Sequence, residues 1–173
     1  TDIIIIANPV KYADGLHRYR RVTSITEVRK EWEQDPLTEG GFVDLMRYDS
    51  EKDELVPTPE LINGDSDIIK GIASQIKEWA GDWPAIWDNI LLRARMKRTL
   101  VNYSEKYDTP NLLEAEDVIQ MNDEFHRTTD RVKEETGKID CDKIFFYWEE
   151  SLKRYIKKKY WKRTERETGT GKT

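Results

Sequence analysis

Four consecutive isoleucines at residues 3–6 open the chain, and they leave neither face of a strand polar. An unalternated apolar run of this kind is typical of a strand covered on both faces in an α/β sheet. We therefore expect this strand to have a neighbour on each edge. Because no residue precedes Thr1 to supply the rest of such a sheet, we expect the chain to be a fragment of a larger fold.

Three further strands are predicted from the β-branched and alternating segments that follow. Residues 19–28 form the second strand, after a turn at Asp14 and Gly15, and Pro9 is expected to end the first strand. Residues 42–48 and 54–56 are joined by a polar turn, which predicts a hairpin.

Beyond residue 60 the hydrophobic period changes from two to about three and a half, which predicts helices. Ser66 or Asp65 can cap the first helix, and Gly81 is placed to end it. Further helices are predicted over residues 82–106, over residues 109–137, and from about residue 140 into the basic segment that follows. The patterns divide the chain into a strand region at residues 1–59, a helical domain at residues 60–166 and a flexible tail at residues 167–173.

Composition narrows the class of protein. The chain has 173 residues, of which 37% are hydrophobic and 36% charged, and six Trp with eight Tyr are too many large side chains for a disordered chain. The net charge of -5 argues against nucleic-acid binding by the whole surface. The single cysteine, Cys141, excludes an intrachain disulfide, and no apolar run reaches the length of a membrane span, so the cytoplasm is the expected compartment.

Residues 20–28 carry a more specific signal. They read Arg-Arg-Val-Thr-Ser-Ile-Thr-Glu-Val, after the aliphatic strand and before Phe-Val-Asp-Leu-Met-Arg-Tyr-Asp at residues 42–49. This order, over residues 2–60, resembles the end of the motor domain in archaeal ATPases of the type II/type IV secretion superfamily, which drive archaella and type IV pili. The resemblance implies an α+β fragment: the last β-strands of a RecA-like α/β motor domain, followed by a helical C-terminal extension.

The resemblance also implies a function. The chain would be the non-catalytic C-terminal region of a hexameric secretion or archaellum-type ATPase, contributing to subunit packing and to contact with the membrane platform protein. ATP and Mg²⁺ are implied for the full-length protein, whereas we expect no cofactor in this chain, which lacks nucleotide-hydrolysing motifs. The implied location is cytoplasmic and peripheral to the membrane. The implied partners are the rest of the motor domain, neighbouring subunits and the platform, with no nucleic acid expected.

A different class of function is the alternative. A small sheet beside helices with a basic terminal helix would suit a stand-alone interaction or nucleic-acid-binding module. Salt-sensitive binding to DNA or RNA would favour that alternative. An independent enzyme is the hypothesis we favour least, because no catalytic constellation stands out in the sequence.

Two adjacent arginines, Arg20 and Arg21, stand on the motif strand together with Glu27. A guanidinium near a subunit boundary can meet the phosphates of a neighbour's nucleotide, because it presents a rigid fork of donors. Alternatively, the pair binds Glu27 or another carboxylate and stabilises the rim of the sheet. We favour the structural interpretation, since the resemblance does not by itself make either arginine catalytic.

Two other groups are candidates for contact with partners. Trp83 and Trp87 would suit an exposed interface, because aromatic side chains anchor protein contacts, and core packing is the alternative. The highest local density of positive charge lies at the end of the last helix. This segment could bind a membrane surface, a platform protein or a nucleic acid, although we favour a solvated helix end. This basic surface consists of Lys157, Lys158, Lys159, Lys162 and Arg163.

Other motifs predict no chemistry. The tail Gly-Thr-Gly-Lys-Thr at residues 169–173 looks like a phosphate loop, but Arg166 stands where the loop requires glycine and no helix can follow. His17 and His126 have no second ligand at metal-binding spacing.

Three carboxylates, Glu114, Glu116 and Asp117, cluster at the predicted start of a helix. The positive end of the helix dipole favours acidic side chains there. We interpret the cluster as a solvated first turn.

Overall fold

The computed structural model describes residues 1–11 and 15–161, and its fold is α+β. The chain divides into two compact units, residues 1–83 and residues 84–173. The first unit contains strands β1 (Ile3–Lys11), β2 (Arg18–Val28), β3 (Phe42–Asp49) and β4 (Glu54–Pro57), and helices α1 (Pro59–Ile62) and α2 (Asp67–Ala73). Helices α3 (Trp83–Lys106), α4 (Ala115–Thr136) and α5 (Cys141–Ile156) follow, with a 3₁₀ turn at Pro110–Leu113 and a π-helical turn at Lys157–Trp161.

The four strands form one antiparallel sheet in the order β1-β2-β3-β4. Ile25 is central in it, because its Cα lies opposite Ile5 of β1 and Met46 of β3. Each of these two pairings shifts register once, after Ile6 in β1 and after Ile25 in β2, which is the irregularity that a β-bulge produces. The predicted strands and the predicted hairpin are confirmed.

The environment predicted for the first strand is wrong for this chain. β1 lies at the edge of the sheet, and its Ile5 and Ile6 side chains are 62% and 43% exposed. An apolar run indicates that a strand is more stable when both of its faces are covered. It does not indicate which residues provide the cover, and the described residues of this chain leave part of β1 exposed. Pro9 does not end the strand either: it pairs with Arg20, as a proline can on an edge strand.

Short helices complete the first unit against the sheet. Thr58 caps α1 by accepting the Leu61 N–H, and its own hydroxyl donates to the Asp44 carbonyl of β3 at 2.7 Å. Leu45 and Leu61 are buried. Because these contacts join α1 to the sheet, the boundary between the units falls after Trp83 and not after residue 59.

The first predicted helix is shorter than its pattern suggested. Ser66 caps α2 as predicted, accepting the Ile69 N–H at 3.2 Å, but the helix ends at Ala73. Residues 74–82 form successive turns, and Gly81 takes a left-handed φ of 79°. Gly71, which has a low helix propensity, lies within α2, and the helix ends two residues after it.

The second unit buries one apolar core among its helices. Asp140 caps α5, and Gly137 ends α4 in the left-handed conformation. The sequence predicted a helix end near residue 137 and a helix start near residue 140, and both positions are confirmed. At the centre of the core, the Trp148 indole N–H donates to the Met121 carbonyl at 2.9 Å. None of the described helices combines the length and the apolar character that crossing a bilayer requires. The buried core residues are Leu92, Met96, Leu100, Leu112, Met121, Phe125, Val132, Ile144, Phe145, Trp148, Leu152 and Ile156.

Two adjacent phenylalanines of α5 provide a matched test of this core. Phe145 is 7% exposed beneath the Arg95 guanidinium, whereas Phe146 is 58% exposed. Phe145→Ala is expected to lower the free energy of unfolding by about 3–5 kcal/mol, because it leaves a cavity. Phe146→Ala should change it by about 0.5 kcal/mol or less. Urea denaturation followed by far-UV circular dichroism measures both, and equal losses would contradict the placement of α5.

Candidate functional site

Arg21 is held within the first unit by a carboxylate. Its guanidinium donates two hydrogen bonds of 2.7 Å to Asp53, in the turn between β3 and β4. The Tyr48 hydroxyl donates to the same carboxylate at 2.8 Å, and the Arg21 guanidinium lies 4.2 Å from the centre of the Tyr19 ring. Hydrogen bonds from Arg21 and Tyr48 lower the pKa of Asp53 to about 2. The geometry therefore fits the structural interpretation of Arg21, with Asp53 as the partner.

Arg20 differs from its neighbour. Its side chain is exposed and takes part in none of the ion pairs found among the described residues. Of the two motif arginines, Arg20 alone has a guanidinium that remains available to a molecule outside the chain.

Glu27, the third residue of the motif strand, is fully buried. The Ser66 hydroxyl donates to one of its carboxylate oxygens, and the Asp67 N–H donates to the other at 2.9 Å. The carboxylate therefore binds the start of α2, where the helix dipole also favours a negative charge. Glu27 is a structural residue that joins β2 to α2, and it does not pair directly with either motif arginine.

A second ion-pair group lies beside that junction. The Arg29 guanidinium binds Asp65 and lies 3.6 Å from the Asp67 carboxylate. Burial lowers the pKa of Arg29, but hydrogen bonding to Asp65 and the nearby carboxylates outweigh it, so the net pKa is raised. Arg29 thus remains charged and neutralises the acidic residues around the N-terminus of α2.

The two tryptophans predicted for an exposed interface are half-buried instead. The Trp83 indole N–H donates to the Ile62 carbonyl at 2.9 Å, and its ring lies so close to Gly64 that a Cβ there would approach it to 2.7 Å. Packing inside the chain therefore accounts for much of the Trp83 surface. A role of Trp83 or Trp87 at an interface stays a prediction.

The described part of the basic surface divides into two kinds of lysine. Lys157 and Lys158 are exposed, whereas Lys159 turns towards the protein and binds the buried carboxylate of Asp117. The π-helical turn at Lys157–Trp161 brings Lys159 and Tyr160 to Asp117 together, and insertions of this kind often occur at functional sites. Lys162, Arg163 and the phosphate-loop-like tail lie outside the described residues.

Asp117 is the centre of a buried polar cluster in the second unit. Its side chain is 1% exposed and accepts hydrogen bonds from Lys159, Tyr160 and Tyr155, the last at 2.8 Å. Burial raises the pKa of this carboxyl, but the three hydrogen bonds and the charge of Lys159 outweigh burial, so its pKa is lowered. The pKa of Lys159 is raised in turn, chiefly by its hydrogen bond to Asp117. The cluster is a neutralised ion pair that joins the start of α4 to the end of α5.

The interpretation of the acidic cluster as a solvated turn is wrong for Asp117. Glu114 and Glu116 are exposed as expected, but Asp117 occupies the same face of α4 as the core residues Met121 and Phe125. The signal was present in the sequence, because residues 117, 121, 125, 128 and 132 follow the spacing of one buried helical stripe. An acidic residue at the head of such a stripe predicts a buried carboxylate with basic or hydroxyl donors nearby.

Among the described residues, no three His, Cys, Asp or Glu side chains are grouped closely enough to hold a metal ion. Comparison with known proteins found no family model that matches the chain, no similar curated protein and no similar solved structure.

The Asp117 cluster gives a test based on pH. Because the folded pKa of Asp117 is lowered, its stabilising contribution is complete above the ordinary value of 3.8 and is lost as pH falls through the folded value. Asp117→Asn is expected to cost about 2 kcal/mol or more near neutral pH, since it removes the buried charge that pairs with Lys159 and leaves only the exposed carboxylate of Glu116 near that lysine. Below pH 3.8 the difference from the unmodified protein should shrink. Chemical denaturation at a series of pH values measures it.

Glu116 supplies the matched control for that experiment. Its carboxylate lies 3.6 Å from the same lysine, but its side chain is 86% exposed. Glu116→Gln should therefore change the free energy of unfolding by about 0.5 kcal/mol or less. A loss as large as that of Asp117→Asn would show that proximity to Lys159, and not burial, sets the effect.

Proposed function

We propose that this chain is the non-catalytic C-terminal region of a hexameric secretion or archaellum-type ATPase, as its motif strand suggests. The observation that carries the proposal is the open edge of the sheet. Among the described residues β1 pairs with β2 alone, and Ile5 and Ile6 present apolar surface to solvent. Sheet edges of stand-alone proteins are usually protected by charge, proline, bulges or cover, and on β1 the register shift and Pro9 come only after the isoleucine run. An edge that begins with four isoleucines is better suited to receive the remainder of a motor domain.

The sheet topology supports the proposal only at a coarse level. All four strands are antiparallel, whereas RecA-like motor domains belong to the α/β class. Predominantly parallel sheets often carry antiparallel strands at one margin. Under the proposal, β1 to β4 form such a margin, and the parallel part belongs to the remainder of the protein.

The role of this region is mechanical. The remainder of the motor domain binds ATP and Mg²⁺, and this chain contributes packing between subunits and contact with the membrane platform. Arg20 is the motif arginine suited to reach a neighbouring subunit, because Arg21 is occupied by Asp53 and Glu27 is buried. The proposed location is cytoplasmic and peripheral to the membrane.

The alternative of a nucleic-acid-binding module gains no support from the basic surface. Asp117 neutralises Lys159, which leaves Lys157 and Lys158 as the exposed cations of the described segment. A chain with a net charge of -5 needs a larger basic patch to bind phosphates strongly. The secretion-ATPase proposal therefore remains the better supported one.

The proposal is tested on the full-length product of the natural gene. We expect the sequence upstream of Thr1 to encode a phosphate loop and an acidic magnesium-binding strand end. The purified product should hydrolyse ATP and form rings, as measured by phosphate release and by light scattering after gel filtration. A gene product that lacks a phosphate loop would overturn the proposal.

A charged residue on β1 of the full-length protein tests whether this edge packs against the remainder of the motor domain. Ile5→Lys should reduce ATP turnover and ring formation by about tenfold or more, because it buries an unpaired charge where the motor domain would pack. Leu37→Lys is the matched control, since Leu37 is 81% exposed in a loop and should tolerate the charge. If both variants behave like the unmodified protein, β1 is not an internal edge of the motor domain.

A further inference from the structure

The loop between β2 and β3, residues 29–41, is organised by one of its own carboxylates. Glu39 accepts hydrogen bonds of 2.7, 3.0 and 2.9 Å from three consecutive backbone N–H groups, those of Glu33, Gln34 and Asp35. These hydrogen bonds lower the pKa of Glu39, so its carboxylate is ionised at neutral pH. Because the carboxylate binds three backbone groups at once, it fixes the path of the chain and gives the loop a defined conformation.

The tip of this loop is apolar and exposed. The Leu37 side chain is 81% exposed, while its backbone N–H donates to the Asp35 carboxylate at 2.9 Å. Trp32 is 40% exposed, and a Cβ at Gly41 would lie 2.9 Å from its ring and 2.6 Å from Pro36, so both rings pack against this glycine. We call Trp32, Pro36 and Leu37 the loop tip. Turns are favoured by Gly, Pro, Asn, Asp and Ser, so the leucine and the tryptophan are not needed to form the loop.

The charge around the loop tip has one sign. Four exposed carboxylates lie within residues 31–41, and this stretch contains no lysine or arginine. The two cations at the start of the loop are engaged elsewhere, because Arg29 binds Asp65 and the Lys30 ammonium lies 3.0 Å from the Asp2 carboxylate. None of the four carboxylates belongs to an ion pair within the described part of the chain. They are Glu31, Glu33, Asp35 and Glu39.

We propose that the loop tip binds another protein, at an apolar cleft bordered by lysine or arginine residues. Leu37 and Trp32 fill the cleft, and tryptophan is among the residues that contribute most to protein interfaces. Glu31 and Glu33 pair with the basic border, so the partner class follows from charge complementarity. The defined conformation of the loop lowers the entropy lost on binding. The inference goes beyond the proposed function and does not depend on it, because the motif strand contributes no residue to the loop tip.

A phage library of random peptides, each about 12 residues long, provides the probes. Selection against the full chain should enrich peptides that combine aliphatic or aromatic residues with lysine or arginine, because both kinds of contact are offered by the loop tip and its border. Fluorescence anisotropy then measures the affinity of labelled synthetic copies of the enriched peptides. Replacing their basic residues by glutamate, or their apolar residues by serine, should weaken binding by about tenfold or more.

Two exposed leucines of the first unit locate the apolar contact. Leu37→Ser should weaken binding of the enriched peptides by about tenfold or more, because it removes the anchor of the loop tip. Leu16→Ser is the matched control, since Leu16 is 83% exposed just before β2 and lies outside the loop. This control should leave the affinities within about twofold of the unmodified chain. Far-UV circular dichroism verifies that both variants remain folded.

A pair of charge reversals locates the electrostatic contact. The net charge of -5 attracts basic peptides to the whole surface, so the position of each charge has to be tested. Glu33→Lys and Glu51→Lys change the net charge equally, but Glu51 lies in the turn between β3 and β4. Glu33→Lys should weaken binding by about fivefold or more, and Glu51→Lys by about twofold or less.

Several outcomes would overturn the inference. A selection that enriches no peptide, or only peptides without basic residues, would contradict the partner class. Peptides that bind the Leu37→Ser variant as tightly as the unmodified chain would place the contact outside the loop tip. Equal losses in the Glu33→Lys and Glu51→Lys variants would show that net charge, and not the border of the loop tip, attracts the peptides.

Discussion

The cost of removing a carboxylate from water is the constraint on which the arrangement of both units depends. A buried carboxylate is tolerated only when donors surround it, so wherever the chain buries one, the elements that carry the donors must meet there. Glu27 satisfies this condition with Ser66 and the start of α2, and Asp117 satisfies it with donors from the end of α5 and the π-helical turn. Each carboxylate joins two segments that apolar packing alone would position less specifically.

Features of the fold could be predicted from the sequence where they depend on residues close together along the chain. The strands, the start of α2 at one of its two candidate caps, the start of α5 near residue 140 and the end of α4 near Gly137 follow from short-range preferences, and the sequence predicted them correctly. The exposure of Ile5 and the burial of Asp117 depend on residues distant along the chain, and the predictions for both were wrong. For Asp117, the stripe it shares with Met121 and Phe125 contained the missing information, whereas the isoleucine run contains no corresponding sign of which protein would cover it.

The open edge of β1 combines backbone donors and acceptors with exposed isoleucine side chains. Backbone hydrogen bonding does not depend on side-chain identity, so an edge of this kind can pair with strands of many different sequences. Selectivity at such an edge has to come from the side chains on the two faces of the sheet.

Pro9 and the irregularity after Ile6 have a consequence for any strand that joins β1. Proline has no N–H to donate, and a bulge interrupts the regular alternation of backbone groups. A new ladder starting at Ile3 would therefore lose its regularity within a few residues. The same feature limits open-ended stacking of chains through this margin, so a surface that attracts one companion strand is poorly shaped to seed a fibril.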